Sequence, residues 1–212
     1  MKKLLKAFEF ILLLMISTVI LSIIMFSLLI PETKTIDNRI HIHAMKDYDL
    51  NESTIKNLLK KSPLNSNTKV NAFILPKYLY MLTNLRGVLG SQGVAYPLIN
   101  TIFINENVAK ETQRTIDQVI VHETTHIDTY EKFGLYKTLF VPGWKMEGIA
   151  DYVAKSSSFT PQQRVEIIKK YKAGESLSAK EKYVVYQEKV ALLMDSGMSV
   201  EKLFNSDIKS DF

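Results

Sequence analysis

His122, Glu123 and His126 are the residues of this chain whose types and spacing carry chemistry. They form a His-Glu-x-x-His run, His122-Glu123-Thr124-Thr125-His126, that uses two of the four histidines in 212 residues. On a helix, side chains four positions apart project from one face, one turn apart. Two neutral imidazoles so placed bind a single Zn2+ ion, with Zn–N bonds of roughly 2.0–2.1 Å. Glu123, beside the first histidine, is placed to take a proton from a water held by that metal and pass it to a leaving amine. The rival reading is a polar helix turn whose histidines only face solvent.

Two histidines leave a catalytic zinc one protein ligand short of three. A carboxylate follows 21 positions after His126, in the stretch Trp144-Lys145-Met146-Glu147-Gly148-Ile149-Ala150-Asp151-Tyr152. As a helix, this stretch puts Glu147 and Asp151 on one face. Glu147 then completes a His2Glu set with water in the fourth position. Asp151 accepts the free ring N–H of a ligating histidine and fixes its tautomer. The plainer reading of Glu147 is an acid in the first turn of a helix, favoured by the helix dipole. For Asp151 the plainer reading is a surface helix residue.

The elements that must position these groups follow from local patterns. Residues 113–134 contain no Pro, and their only Gly is the terminal Gly134, a helix stop; Ile116, Val119, Ile120 and Ile127 recur at helical spacing. Thr124, Thr125 and Thr129 are poor helix formers, so packing must hold the segment helical. Residues 39–45 alternate and predict a strand. Asn51 predicts a helix cap with the helix running to Lys61, before Ser62-Pro63. Residues 70–75 and 100–105 read as strands, and residues 77–86 as a helix stopped by Gly87. Thr160 with Gln163, and Ser178 with Glu181, read as capping boxes of two late helices closed by Gly174 and Gly197. Strands before the motif helix and helices after it predict an α+β domain.

Here the chain resembles the gluzincin metallopeptidases, in particular the small peptidase MA-like group. His-Glu-x-x-His followed by Trp-x-x-Glu-Gly-x-Ala-x-Tyr carries the likeness, over residues from about 95 to 204. The Glu147-to-Asp151 spacing is similar to that of thermolysin-type enzymes. The resemblance implies a zincin-like fold, a small sheet above an active-site helix with the third ligand on the following helix. It also implies endopeptidase chemistry. The continuation after His126 does not follow the metzincin pattern, and the Gly-x-Met-Glu-Asn signature of zinc aminopeptidases is absent. Related peptidases stabilise the oxyanion with a Tyr or His from a late helix. This chain has no late His, so Tyr183 and Tyr186 are the candidates, against a plainer reading as core packing.

Substrate docking by strand addition needs a free sheet edge. Residues 101–105 are the candidate edge, with Thr101 and Phe103 as substrate-binding residues and Gly93 to Tyr96 just ahead. The plainer reading is an ordinary core strand. His41 and His43 also share a strand face at a metal-like spacing, but the zinc set is complete without them.

Residues 8–30 are apolar except for Glu9, Ser17, Thr18, Ser22 and Ser27, behind Lys2, Lys3 and Lys6. As a helix they span about 35 Å, enough for a hydrocarbon core of about 30 Å. The lysines place the N-terminus in the cytoplasm, so residues 1–30 read as a basic stub and single-pass signal anchor. Residues 31–212 then form one extracytoplasmic domain, on a bacterial cell membrane. The apolar run exceeds the 7–15 residues usual for a cleaved signal peptide. The formal charge of +5 comes from scattered lysines. That suits anionic lipid or cell wall and disfavours nucleic acid. The absence of cysteine excludes disulfides and thiolate ligands.

The expected activity is hydrolysis of an extracytoplasmic peptide or protein by a membrane-anchored zinc endopeptidase. The alternatives are an inactive zincin-fold membrane protein of binding or immunity type, and a zinc amidohydrolase acting on cell-wall peptide.

Overall fold

Among the described residues five strands and nine α-helices follow one another with the sheet first and most helices after it, the coarse order the sequence patterns anticipate; β1 and β4 are strands those patterns did not mark. The computed structural model describes residues 17, 21, 24–26, 28–83 and 91–209. β1 (Glu32–Ile36) and β2 (Ile40–Ala44) form a hairpin, α1 (Glu52–Lys60) crosses over to β3 (Val70–Leu75), and α2 (Lys77–Thr83) follows. β4 (Gly93–Tyr96) leads through a 3-10 turn (Pro97–Ile99) into β5 (Thr101–Asn105). The helical part comprises α3 (Val108–Glu111), α4 (Ile116–Phe133), α5 (Leu135–Phe140), α6 (Gly143–Ala154), α7 (Pro161–Lys172), α8 (Ala179–Asp195) and α9 (Val200–Asn205). The chain is α+β with a small mixed sheet. The expected stop of α2 at Gly87 lies outside the described residues.

The sheet order is β1-β2-β3-β5-β4. β2, β3 and β5 are parallel, while β1 and β4 run antiparallel at the two edges. Parallel strands are covered on both faces, and their residues divide accordingly. Ala72, Ile74, Ile102 and Ile104 face the main core with α4. Phe73, Leu75 and Phe103 face a second, aromatic cluster with Tyr80 of α2.

This order corrects one expectation. Residues 101–105 are not an edge strand: β5 is paired with β3 on one side and β4 on the other. Thr101 and Phe103 are each 1% exposed, and the Thr101 hydroxyl donates to the Ile99 carbonyl. Neither has a free backbone edge to offer a peptide. The edge next to the motif helix belongs to β4, a strand of four residues with too little alternation to stand out.

The aromatic cluster also takes in Phe26 and Ile30, 8% and 2% exposed. The Phe26 ring lies 6.0 Å from Phe103 and 6.4 Å from Phe73. The end of the apolar N-terminal stretch is therefore packed into the domain, upstream of the boundary expected at Pro31. Among the described residues no helix is long and apolar enough to cross a membrane. The anchor expected at residues 8–30 lies mostly outside the described residues.

α4 carries the motif through the core. Thr115 and Gln118 form a capping box at its start, and Gly134, at φ +77°, ends it. Two of the buried threonines that weaken its helix propensity are satisfied within the helix, while the Thr124 hydroxyl has no partner. Thr125 donates to the Val121 carbonyl at 2.7 Å and Thr129 to the Thr125 carbonyl at 2.8 Å. A buried ion pair between Asp128 and Arg39 ties its second half to the start of β2. The other two capping boxes form as anticipated, and Gly174 and Gly197 both take positive φ after α7 and α8.

Candidate metal centre

α4 brings His122, Glu123 and His126 into the core, and α6 crosses it to deliver Glu147 and Asp151. α6 starts at Gly143, with Pro142 as its N-cap, and buries Trp144 at 4% exposure against the main core. The same face, one turn on, meets α8 closely at Gly148. A Cβ there would lie 2.6 Å from Val190 Cγ2 and 2.7 Å from the Tyr186 carbonyl. Only glycine allows the two helices this approach, so the residue after Glu147 sets the depth at which Glu147 sits.

The three expected ligands converge. His122 Nε2 and His126 Nε2 are 3.2 Å apart, and Glu147 Oε2 lies 3.4 Å from the first and 3.7 Å from the second. Ligands about 2.05 Å from a tetrahedral zinc stand about 3.3 Å from one another. The donor set thus matches the edges of one tetrahedral face. His122, His126 and Glu147 form the only such group among the described residues, and they could hold a metal ion. Glu147 keeps 28% and His126 14% of their side chains exposed, so the group is reachable from solvent. His41 and His43 stay apart from this group. His41 meets Glu32 across the hairpin at 3.3 Å, and His43 stacks on Phe73 at 4.5 Å.

Asp151 lies where the i, i+4 spacing from Glu147 placed it. Its Oδ1 accepts from His122 Nδ1 at 2.7 Å, which turns Nε2 toward the metal position. The same oxygen accepts from Arg114 Nη2 at 2.7 Å and Ser156 Oγ at 3.2 Å. Gln187 of α8 donates to the Asp151 carbonyl at 2.9 Å. Sequence reading missed Arg114, Ser156 and Gln187, because nothing local marks partners 5 to 37 positions away.

Burial opposes charge on His122, yet the Asp151 carboxylate and then Glu147 outweigh it and push the metal-free imidazole up to about 10. Burial also opposes ionisation of Glu147, but the His126 and His122 rings hold its carboxyl well below the usual range. For Glu123, burial prevails and raises the carboxyl, with both imidazoles pulling the other way. A raised carboxyl is better matched to proton exchange near neutral pH.

Glu123 lies directly beneath β4. A Cβ on Gly93 would stand 2.6 Å from both Glu123 Cγ and Oε1, and 2.8 Å from Val119 Cγ1. Gly93 and Ala95, both small, face α4 and let the edge strand settle onto the motif helix. Tyr183 and Tyr186 sit on α8 with ring centroids 5.7 Å apart. Burial, then Glu147, raises the Tyr183 hydroxyl to about 12, and the same causes raise Tyr186. Both are neutral donors that feel the Glu147 carboxylate.

No protein-family model matches the chain, and no curated protein matches it.

Proposed function

We propose that this chain is a membrane-anchored, zinc-dependent endopeptidase of zincin fold, acting on an extracytoplasmic peptide or protein. The observation that carries the proposal is the donor triangle of 3.2, 3.4 and 3.7 Å, with an acid buried beside it. Two imidazoles and one carboxylate with an open fourth position are a catalytic rather than a structural zinc set.

When bound, zinc lowers the pKa of its water toward about 7 and polarises a carbonyl. The chain's own residues supply the rest. Glu123 accepts the water's proton and returns it to the departing nitrogen. Asp151 holds His122 in the orientation that aims Nε2 inward. Gly93 of β4 packs directly against Glu123, and no strand of the described sheet pairs with the outer edge of β4. An extended substrate pairing along that edge brings its scissile bond over Glu123. Tyr183 or Tyr186 supplies the hydroxyl that stabilises the oxyanion.

The test uses the full-length protein in mild detergent. Metal analysis is expected to give close to one zinc per chain, and His122→Ala, His126→Ala and Glu147→Ala are each expected to lose it. Cleavage of a peptide library, read by mass spectrometry, should stop with a chelator and return with zinc. Full zinc retention in both histidine variants would overturn the assignment.

A further inference from the structure

Glu123, Glu147 and Asp151 bring three carboxyl groups to one helix crossing. The guanidinium placed among them is that of Arg114, on the approach to α4. Its side chain is 11% exposed, and its Nη2 donates to the same Asp151 oxygen that accepts from His122 Nδ1. Its charge also acts on Glu123, where it favours the carboxylate.

We infer that Arg114 is a positioning residue of the metal centre, acting on zinc through Asp151 and His122. It touches neither ligand nor substrate. It pins Asp151 Oδ1 between two donors, so the carboxylate cannot rotate away from His122. Ser156, donating to the same oxygen at 3.2 Å, closes the third side. With Asp151 pinned, the His122 ring is held with Nε2 facing His126 and Glu147 before any metal arrives. A lone aspartate would need to be ordered by the metal itself, and that ordering would weaken binding. An uncompensated carboxylate in this buried place would also be costly, which ties the arginine to the site rather than to the surface.

This inference rests on the metal-centre reading above, and the experiment separates the two. Full-length protein is titrated with zinc against a chromophoric chelator, for the wild type, Arg114→Met, Asp151→Asn and the double variant. Circular dichroism checks the fold of each. Arg114→Met is expected to weaken zinc by about 10- to 100-fold, the usual loss for residues that orient a ligand. In the Asp151→Asn background the same change is expected to cost less than about threefold, because its route to the metal is already cut. An equal loss in both backgrounds, or no loss in either, overturns the inference. A second readout is the hydrogen-bonded Nδ1 proton of His122 in the metal-free protein, followed by NMR. Arg114→Met is expected to speed its exchange with solvent, and an unchanged rate overturns the inference. If the methionine variant does not fold, Arg114→Lys takes its place, since it keeps the charge but loses the fork. It is expected to bind zinc more weakly than wild type, and wild-type values in both readouts overturn the inference. Failure of the wild type to bind zinc would count against the metal-centre reading, while the proton-exchange comparison would still judge Arg114.

Discussion

At the scale of single residues, Glu123 separates binding from chemistry. Its carboxylate takes no part in the donor triangle, so Glu123→Gln should keep zinc and fold. It should lose hydrolysis by at least about 100-fold, since an amide cannot accept the proton. A glutamine variant that cleaves the peptide library at the parental rate would remove the general-base role. His122 makes a second prediction, about pH. Its metal-free pKa lies near 10, above the ordinary 6.5. The stability that the His122–Asp151 pair lends the metal-free protein is therefore fully present below about pH 6.5 and is lost as pH rises through about 10. Zinc affinity runs the other way, because the metal must expel that proton. Between those limits it should rise by up to about tenfold per pH unit. Calorimetry at pH 7 in buffers of differing ionisation enthalpy should show about one proton released per zinc. Zero release would mean that His122 is neutral before the metal binds.

At the scale of elements, two glycines set the distances between the strands and helices that build the site. Gly93→Ala would push a methyl into Glu123 and Val119, so β4 or the Glu123 side chain must move. Zinc should stay bound within a few-fold, while turnover falls by about 100-fold, the scale expected when a reacting group is displaced by about 1 Å. Parental turnover in a folded Gly93→Ala protein would show that β4 does not govern Glu123. Gly148→Ala acts on the other side. It would meet a backbone carbonyl, which cannot yield as a side chain does, and should cost about 1–3 kcal/mol in denaturant unfolding. Because Glu147 is the neighbouring residue, zinc affinity should drop with it. A stability loss without any change in zinc binding would mean that the α6–α8 contact supports the fold alone.

At the scale of the whole molecule, the near end of the N-terminal stretch packs into the domain, which a simple anchor would not do. The far part of the stretch is the proposed membrane segment, and the near end, Phe26 and Ile30, closes the aromatic face of the sheet. Removing residues 1–30 should therefore destabilise the remaining domain as well as release it. Truncating a buried Phe alone typically costs about 3–5 kcal/mol. Phe26→Ala in the full chain should fall in or just below that range by thermal or denaturant unfolding. Stability equal to that of the parent would mean that the segment merely rests on the sheet. A topology reporter fused after Phe212 should be active only outside the cytoplasm, with the protein in the membrane fraction. Cytoplasmic activity would reverse the orientation.

What the sequence determined by itself is what repeats within a few residues. The two histidines and Glu123 share one helix, so their convergence follows from a 3.6-residue turn. The link from Glu147 to Asp151 rests on the same period, and the capping boxes at Thr160 and Ser178 are closed within four residues. Glu147 was legible for a different reason: a His pair left one ligand short demands a carboxylate somewhere downstream. The tertiary structure alone decided the rest. Whether β5 or β4 forms the edge depends on which strands hydrogen-bond across loops, and the side-chain pattern of a strand buried on both faces carries no trace of its neighbours. Arg114 reaches Asp151 across 37 positions and two elements. Gly93 matters only because α4 happens to pass beneath it, and Phe26 only because the sheet's second face needs a cover. Contacts of that kind are set by how elements pack in three dimensions, and no local period encodes them.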